Sequence, residues 1–542
     1  MHSIAEIIVL RAEASPDRRA YLFLDDNAGE EHELSCRQLL EGAGSVAGAL
    51  ARYPKQARIL IALPTSPEFC HVFYGCMLAN KVAVPIPIPN AHRLEAVLKI
   101  VVECQTSCIV VVPSLRRGLR AALDSAGIRS VDVLCHDDLR GSAPARLVLP
   151  APTDIALLQF TSGSTTSPKG VKITHANIIA NERMICESFR HTESSTVVGW
   201  TPLNHDQGLI GNLIQPLYVG ASCVLMAPTT FLRKPRLWLQ AISTYSAHTS
   251  GGPNFCYDLC IARISDADCQ GLDLSCWQVA FNGAEPISAA TLRRFATRFS
   301  PYGFRADAFF LCYGMAEASL YVSGGYAETL WFEEAREVHE LPPIHSGRPH
   351  PDTSIVLRRM DEAPSVDDAE EICIAGPNVT SGYWGGQAAD SFFEQDGRRY
   401  FRTGDLGCLD DGRLVVTGRA KEVIIVRGRN IHPYDIERTI VETHEAFLPS
   451  ACAVIAVGPP DSQYVIAVQE IERTARHALD YNAIAGEVRK SVVRKHDVQL
   501  KRVLFAAPGF IPKTSSGKIK RTLLAQHLQH SDLAHSGIIA AA

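Results

Sequence analysis

Hydrophobic positions along this chain follow two alternating rhythms. Residues Ser35 to Tyr53, "SCRQLLEGAGSVAGALARY", repeat apolar positions at helical spacing behind a serine, and "PEFCHVFYGCMLAN" reads as a second helix. Around them "RILIALP" and "KVAVPIPI" are short apolar runs that read as buried strands. The rhythm continues through "ALLQF", "THANIIANERMICESF", "SCVLMAP", "KPRLWLQAISTYS", "WQVAFNG" and "ISAATLRRFATRFSPYG". Strands alternating with helices predict an α/β fold of parallel sheets flanked by helices.

The pattern changes twice. From Ser354 the runs shorten to "SIVLRR", "EICIAG", "RYFRTGDLGCL" and "RLVVTGR", divided by Asp, Gly and Pro, which predicts a β-rich subdomain at about residues 350–418. Past Gly418 a strand ("EVIIVRG"), a helix ("YDIERTIVETHEAF") and two strands ("ACAVIAVGPPDSQYVIAVQE") follow. Ile484, Val488 and Val492 then share one helical face. The expected organisation is a large N-terminal domain over residues 1–420 and a smaller α+β domain over 421–542. A chain of 542 residues is too long for one core of ordinary size.

Composition narrows the partners. With 46% hydrophobic and 20% charged residues the balance is that of a soluble globular protein. A formal charge of −5 gives no general attraction to nucleic acid or to an anionic membrane. The start, "MHSIAEIIVLRAEASPDRRAYLF", has the form of neither a signal peptide nor an anchor, and no run approaches the ~18–20 apolar residues of a spanning helix. The expectation is a cytoplasmic protein without nucleic-acid or membrane partners. Sixteen cysteines without CxxC spacing predict buried free thiols in a reducing compartment rather than a zinc site. Gly42-x-Gly44-x-x-Ala47 imitates a dinucleotide fingerprint, but it lies inside a helix and predicts close helix packing instead.

Candidate chemistry begins at "TSGSTTSPKG" (Thr161 to Gly170), expected between a strand and a helix capped by Thr174. Its small residues, hydroxyls and lysine suit phosphate oxygens, although no GxxxxGK[ST] motif occurs in the chain. Taken alone it fits a phosphate loop or a solvated surface loop equally. "PKTSSGKIKR" (Pro512 to Arg521) is a second such loop, and in isolation it is a solvated basic helix start.

What joins the two loops is the order of motifs between them: "FNGAEPIS", "LCYGMAEASL", "YFRTGDLG" and "GRAKEVIIVRGRNIHPYDIE". From Leu157 to Leu523 this set resembles the adenylate-forming superfamily of acyl-CoA synthetases, peptide-synthetase adenylation domains and luciferases. With "GWTPLNHDQGLIGNLIQPLYVG" and "SGGPNFCYDLC" added, it is most similar to the fatty acyl-AMP ligases. The resemblance implies ATP-dependent activation of a fatty or related carboxylic acid, with Mg²⁺, followed by transfer to the phosphopantetheine thiol of a separate acyl carrier protein. No carrier signature follows Arg521. Alternatives of the same fold are an acyl-CoA synthetase using coenzyme A and a standalone amino-acid adenylation enzyme. A non-catalytic nucleotide sensor is a further alternative, disfavoured because Lys518 and Glu317 are both present.

The resemblance also implies roles. Lys518 would bridge carboxylate and α-phosphate, Glu317 would hold Mg²⁺, and His205 would stand at the carboxylate end of the acyl pocket. Asp405 would take the ribose hydroxyls, with Arg419 toward the nucleotide. Gly283, Ala284 and Glu285 would form the adenine-pocket strand end, with Tyr313, Gly314 and Met315 beside the ring. Thr161, Ser162, Ser164, Thr165, Thr166 and Lys169 would cover the outer phosphates. Lys421 would be a hinge that lets a mobile C-terminal domain withdraw Lys518. Gln207, Gly208, Ile210, Gly211, Gly252 and Pro253 would line the acyl tunnel, with Gly208 and Gly211 leaving room for the chain.

Three features depart from the family pattern. "GGYAETLWFEEAREVHELPPIHSGRP" is short for the insertion that acyl-AMP ligases carry there and that is linked to rejecting coenzyme A. Gln207 replaces a usual methionine, which points to a more polar or unusual acid. His432 and Tyr434 rearrange the usual aromatic and glutamine positions.

Overall fold

The computed structural model describes residues 1–25, 31–89, 94–142, 149–161, 169–328, 344–359, 370–386, 389–426, 429–458, 464–513, 518–530 and 537–541. Two large sheets organise its first part. A six-stranded sheet runs in the order Asp132–Leu134, Cys108–Val111, Arg58–Ala62, Val82–Pro85, Ile155–Thr161, Lys169–Thr174, parallel except for the last pair. A nine-stranded sheet has a parallel centre built from Arg19–Leu24, Ser222–Met226, Thr196–Gly199, Thr249–Gly251, Val279–Asn282 and Phe309–Gly314. Antiparallel strands close both of its edges.

Burial explains why the central strands are mostly apolar. Along Arg58–Ala62, Ile59 and Ile61 join the core between the two sheets, while Leu60 and Ala62 join a second cluster on the outer face. With side chains alternating between faces, a strand covered on both sides has no polar position to spare. The core between the sheets is filled by the helices Ile4–Ala14, Cys36–Leu50 and Pro67–Leu78. The outer face of the larger sheet carries an aromatic cluster that includes Trp238, Trp277, Phe295 and Phe299. Gly42 of "EGAGSVAGAL" serves helix packing: a Cβ there would meet the His71 ring at 2.4 Å.

One local expectation needs correction. "TSGSTTSPKG" does not lead from a strand into a helix. Lys169–Thr174 is itself a strand, antiparallel to Ile155–Thr161, and only then does the Thr174-capped helix His175–Phe189 begin. The loop is therefore the tip of a hairpin. Val171 and Ile173 face the core, and this burial makes strand of a lysine-rich segment.

The β-rich segment is a five-stranded antiparallel sheet built from Ser354–Arg358, Glu370–Ala375, Arg398–Asp410, Phe392–Gln395 and Arg413–Arg419. Beyond it lie the hairpin Ile424–Val426/Arg429–Ile431, the helix Pro433–Val441 and a four-stranded sheet. In that sheet Tyr464–Ile471 and Leu500–Ala506 are parallel, joined through the helix Tyr481–His496. All sixteen cysteines are free thiols. No helix among the described residues is long and apolar enough to cross a membrane.

Candidate active site

The strand pair Arg398–Asp410/Arg413–Arg419 sets Asp405 directly opposite Arg419. Arg419 Nε lies 2.8 Å from Asp405 Oδ1, and the Tyr313 hydroxyl donates to Oδ2 at 2.7 Å. Asp405 is only 4% exposed, and its backbone N–H donates to Thr403 Oγ1. The carboxylate raises the Arg419 guanidinium further above its ordinary value. Burial, then Asp405, pushes the Tyr313 phenol well up. Tyr313 was expected beside an adenine ring; here its hydroxyl is tied to the aspartate and also approaches Met315 Sδ at 3.7 Å. Gly314 is required by a close approach, because a Cβ there would meet the Leu320 carbonyl at 2.0 Å.

Two residues further, Glu317 lies buried on the short turn Ala316–Ala318. Tyr383 donates its hydroxyl to Glu317 Oε1 at 2.8 Å, and the Thr380 amide donates to the Glu317 carbonyl at 2.7 Å. Burial pushes the Glu317 carboxyl above its ordinary value, opposed by the Tyr383 hydrogen bond and by Arg419. Lys169, at the exit of the hairpin loop, places its ammonium 5.3 Å from the centroid of the same Tyr383 ring. Tyr383 thus links the loop lysine to the buried carboxylate, aided by its bridge to Val171. The sequence reading missed it; its signal was "GPNVTSGYW", a turn-rich stretch ending in two aromatics. Ser162, Ser164, Thr165 and Thr166, and the Thr161 side chain, lie outside the described residues.

The third cluster surrounds His205. Its amide donates to the Pro202 carbonyl, and Gln159 donates to the neighbouring Asn204 carbonyl at 2.6 Å. The widened π-helical stretch Gln207–Ile214 follows, marked by the bond from the Gln215 amide to the Ile210 carbonyl. Burial lowers the His205 imidazole below its ordinary value and the Lys518 ammonium lowers it further, while Asp206 opposes. Lys518 acts in the same way on Glu285, whose carboxyl is pushed up to about 7 by burial and by Asp258. Two segments remote in sequence are therefore coupled electrostatically: the Lys518 ammonium acts on both His205 and Glu285.

Several expected pocket residues have other surroundings. A Cβ at Gly208 would lie 2.2 Å from the Pro202 carbonyl, so its missing side chain lets backbones touch rather than leaving room for a chain. Gly252 likewise closes on Trp200, at 2.6 Å. Gly211 has one neighbour at that range, Leu320 Cδ2 at 3.3 Å, a flexible group that can yield. Ile210 belongs to the core and Pro253 caps the helix Asn254–Arg263, while Gln207 is half-buried beside His205. A Cβ at Gly283 would lie 2.7 Å from the Cys312 carbonyl, and Ala284 takes a left-handed backbone, φ 73°. That turn brings Glu285 against the amides of Asn254 and Phe255, on the Lys518 side.

Lys518 is exposed, but its base is fixed. Arg521 meets Glu437 at 2.7 Å and Glu422 at 2.7 Å. Glu422 adjoins the exposed Lys421 on the turn Ala420–Glu422. Among the described residues no group of three or more His, Cys, Asp or Glu is placed to hold a metal ion.

A parallel-sheet body that carries a buried aspartate paired with a half-exposed arginine and a tyrosine, together with a lysine from the C-terminal segment, is the arrangement of an α/β enzyme class that handles nucleotides. The AMP-binding enzyme family matches residues 9–384, and the AMP domain of Disco-interacting protein 2-like proteins matches 421–536. A medium-chain-fatty-acid–[acyl-carrier-protein] ligase of Moorena producens is 35% identical over 559 residues, covering 96% of this chain and 94% of that protein. A second such ligase, from Teredinibacter turnerae, is 33% identical over 593 residues, covering 96% and 92%. Among solved structures, one from work on fatty acyl-adenylate ligases of E. coli and L. pneumophila superposes with a TM-score of 0.86 at 30% identity, covering 98% of both chains. The chain belongs to the AMP-binding enzyme family of adenylate-forming, ATP-dependent ligases, in its fatty acyl-AMP ligase group.

Proposed function

We propose that this ligase activates a fatty acid with ATP and then loads a separate acyl carrier protein. A carboxylate oxygen attacks the α-phosphorus, and the bond from that phosphorus to the bridging oxygen breaks. Acyl-AMP remains and pyrophosphate leaves. The phosphopantetheine thiol then attacks the acyl carbonyl, loses its proton, and expels AMP.

The observation that carries this reading is the pair of buried carboxylates, Asp405 held by Arg419 and Tyr313 and Glu317 held by Tyr383, with the Lys518 ammonium acting electrostatically on His205 and Glu285. Two anions at ~4 Å repel by about 4 kcal/mol at an effective dielectric of ~20, so a cation must stand between them. We assign that role to Lys518, with His205 neutral beside the acid. Asp405 would exchange its Tyr313 and Arg419 contacts for ribose hydroxyls, and Lys169 would follow the outer phosphates. Glu317 would hold Mg²⁺; a single protein carboxylate suits an ion that takes its remaining oxygens from phosphates and water. The cation would offset charge on the departing pyrophosphate.

We also take residues 1–420 and 421–542 as two units hinged at Lys421. Their separate sheets, and family matches that end at 384 and begin at 421, support this division. A medium-chain acid and a carrier acceptor are favoured by the names of the relatives. Coenzyme A is the rival acceptor, favoured by the short segment between "YGMAE" and "SGRP". The free thiols are consistent with a reducing cytoplasm.

The test offers ATP, Mg²⁺ and acids of graded length together with holo-acyl carrier protein and coenzyme A, and reads both products by mass spectrometry. Acylated carrier in excess is the expected result. Acyl-CoA in excess would overturn the acceptor, and an amino acid as the only activated substrate would overturn the acid.

A further inference from the structure

The Pro286 carbonyl is one point that connects the Lys518 side of the molecule to the large sheets. Pro286 O accepts from Asn254 Nδ2 at 2.8 Å and from the Tyr434 hydroxyl at 3.1 Å. The Asn254 side is immobile: the residue is 3% exposed, and its Oδ1 accepts from Asn282 Nδ2 and from the Ser288 amide. These bonds fix the turn from Asn282 to Ser288, and with it the direction of the Pro286 carbonyl. Tyr434 is the only one of the two donors that comes from the C-terminal part of the chain.

Tyr434 lies in the first turn of the helix Pro433–Val441. Three residues on, along the same face, Glu437 grips Arg521 through both carboxylate oxygens, at 3.0 and 2.7 Å. Arg521 follows Lys518 by three positions. Pro286, Tyr434, the helix, Glu437, Arg521 and Lys518 therefore form one mechanical chain. It closes on itself, because Lys518 acts on Glu285, the residue that precedes Pro286. Ala284, at φ 73°, turns the backbone so that Glu285 and Pro286 both meet the C-terminal segment.

We propose that Tyr434 is a positioning residue: by docking its helix on the Pro286 carbonyl it holds Lys518 at the acid site during adenylation. This rests on the function proposed above. Tyr434 touches neither acid nor nucleotide in this role and acts through Lys518. The contact serves the first half-reaction alone, since acyl transfer does not need the lysine between carboxylate and α-phosphate.

The test is Tyr434→Phe, which removes one hydroxyl and leaves the ring. ATP–pyrophosphate exchange with octanoate should lose about fivefold in kcat, the worth of one net hydrogen bond, with the KM for ATP unchanged. Transfer from supplied octanoyl-AMP to pantetheine should be unchanged or faster. Amide hydrogen exchange should rise in residues 284–288 and 432–436, and the melting temperature should hold. Equal loss in both half-reactions, or unaltered hydrogen exchange at 284–288, would overturn the proposal. Wild-type protein that exchanges pyrophosphate with no acid would instead sink the functional reading. The hydrogen-exchange comparison would still decide the contact.

Discussion

Asp405 and Lys518 are both charged, and both are assigned to one reaction, yet the fold treats them in opposite ways. Asp405 sits on a thirteen-residue strand, 4% exposed, with a partner on each carboxylate oxygen. Lys518 is exposed and lies in the C-terminal segment, three residues before Arg521, whose partner Glu437 shares a helix with Tyr434. The contrast teaches a division of labour. Under the roles proposed above, the nucleotide end would be preorganised, as electrostatic stabilisation requires, while the acid end would be assembled by contacts that can break. An enzyme with two half-reactions in one site gains from a catalytic cation that can leave it.

The contrast can be broken at several points. The largest effect is expected at Arg521, where Arg521→Met would leave Glu437 buried without its cation. That should cost about 3–5 kcal/mol of stability in the C-terminal segment, read by denaturant melting of the C-terminal β-sheet. A loss under about 1 kcal/mol would show that the pair does not fix the loop. Next comes Lys518→Ala. Acid-dependent pyrophosphate exchange should fall by about a hundredfold or more while the melting temperature holds, because the side chain is exposed. Retained exchange would refute the bridging role. Asp405→Ala should show the reverse signature, a raised KM for ATP together with about 1–3 kcal/mol of lost stability, since the buried Tyr313 hydroxyl would lose its acceptor.

The smallest effect is a pH dependence. Glu285 rises from its ordinary 4.5 to about 7, so the folded state binds this proton more tightly than the unfolded chain does. Its contribution to stability is complete below about 4.5 and is lost as pH rises through about 7. Glu285→Gln should therefore flatten the pH profile of stability between those values, by less than the ~1.4 kcal/mol per pH unit that a full proton would give. Parallel melting curves for the two proteins would contradict the assignment.

Much of this architecture was legible because burial on both sheet faces leaves runs such as Ile59 to Ala62 apolar, a local property. Thr174 as a helix cap was legible for the same reason: its hydroxyl accepts from Asn177, three residues away. The strand Lys169–Thr174 hid behind its lysines, although Val171 and Ile173 alternate as a half-exposed strand should. Tyr383 was not legible, since its meaning comes from Lys169 and Glu317, both distant in sequence. Gly208 shows the limit most plainly: a sequence reveals that a side chain is absent, but not that the Pro202 carbonyl has taken the space. The coupling of Lys518 to Glu285 is likewise invisible in sequence, since the two lie more than two hundred residues apart.

The central claim is that this chain makes acyl adenylates from fatty acids. ATP–pyrophosphate exchange across straight-chain acids tests it most directly. Each methylene moved from water into an apolar site contributes about 0.8 kcal/mol, so kcat/KM should climb about fourfold per added carbon until the chain outgrows the site. Exchange that ignores chain length, or that appears with no fatty acid at all, would contradict it.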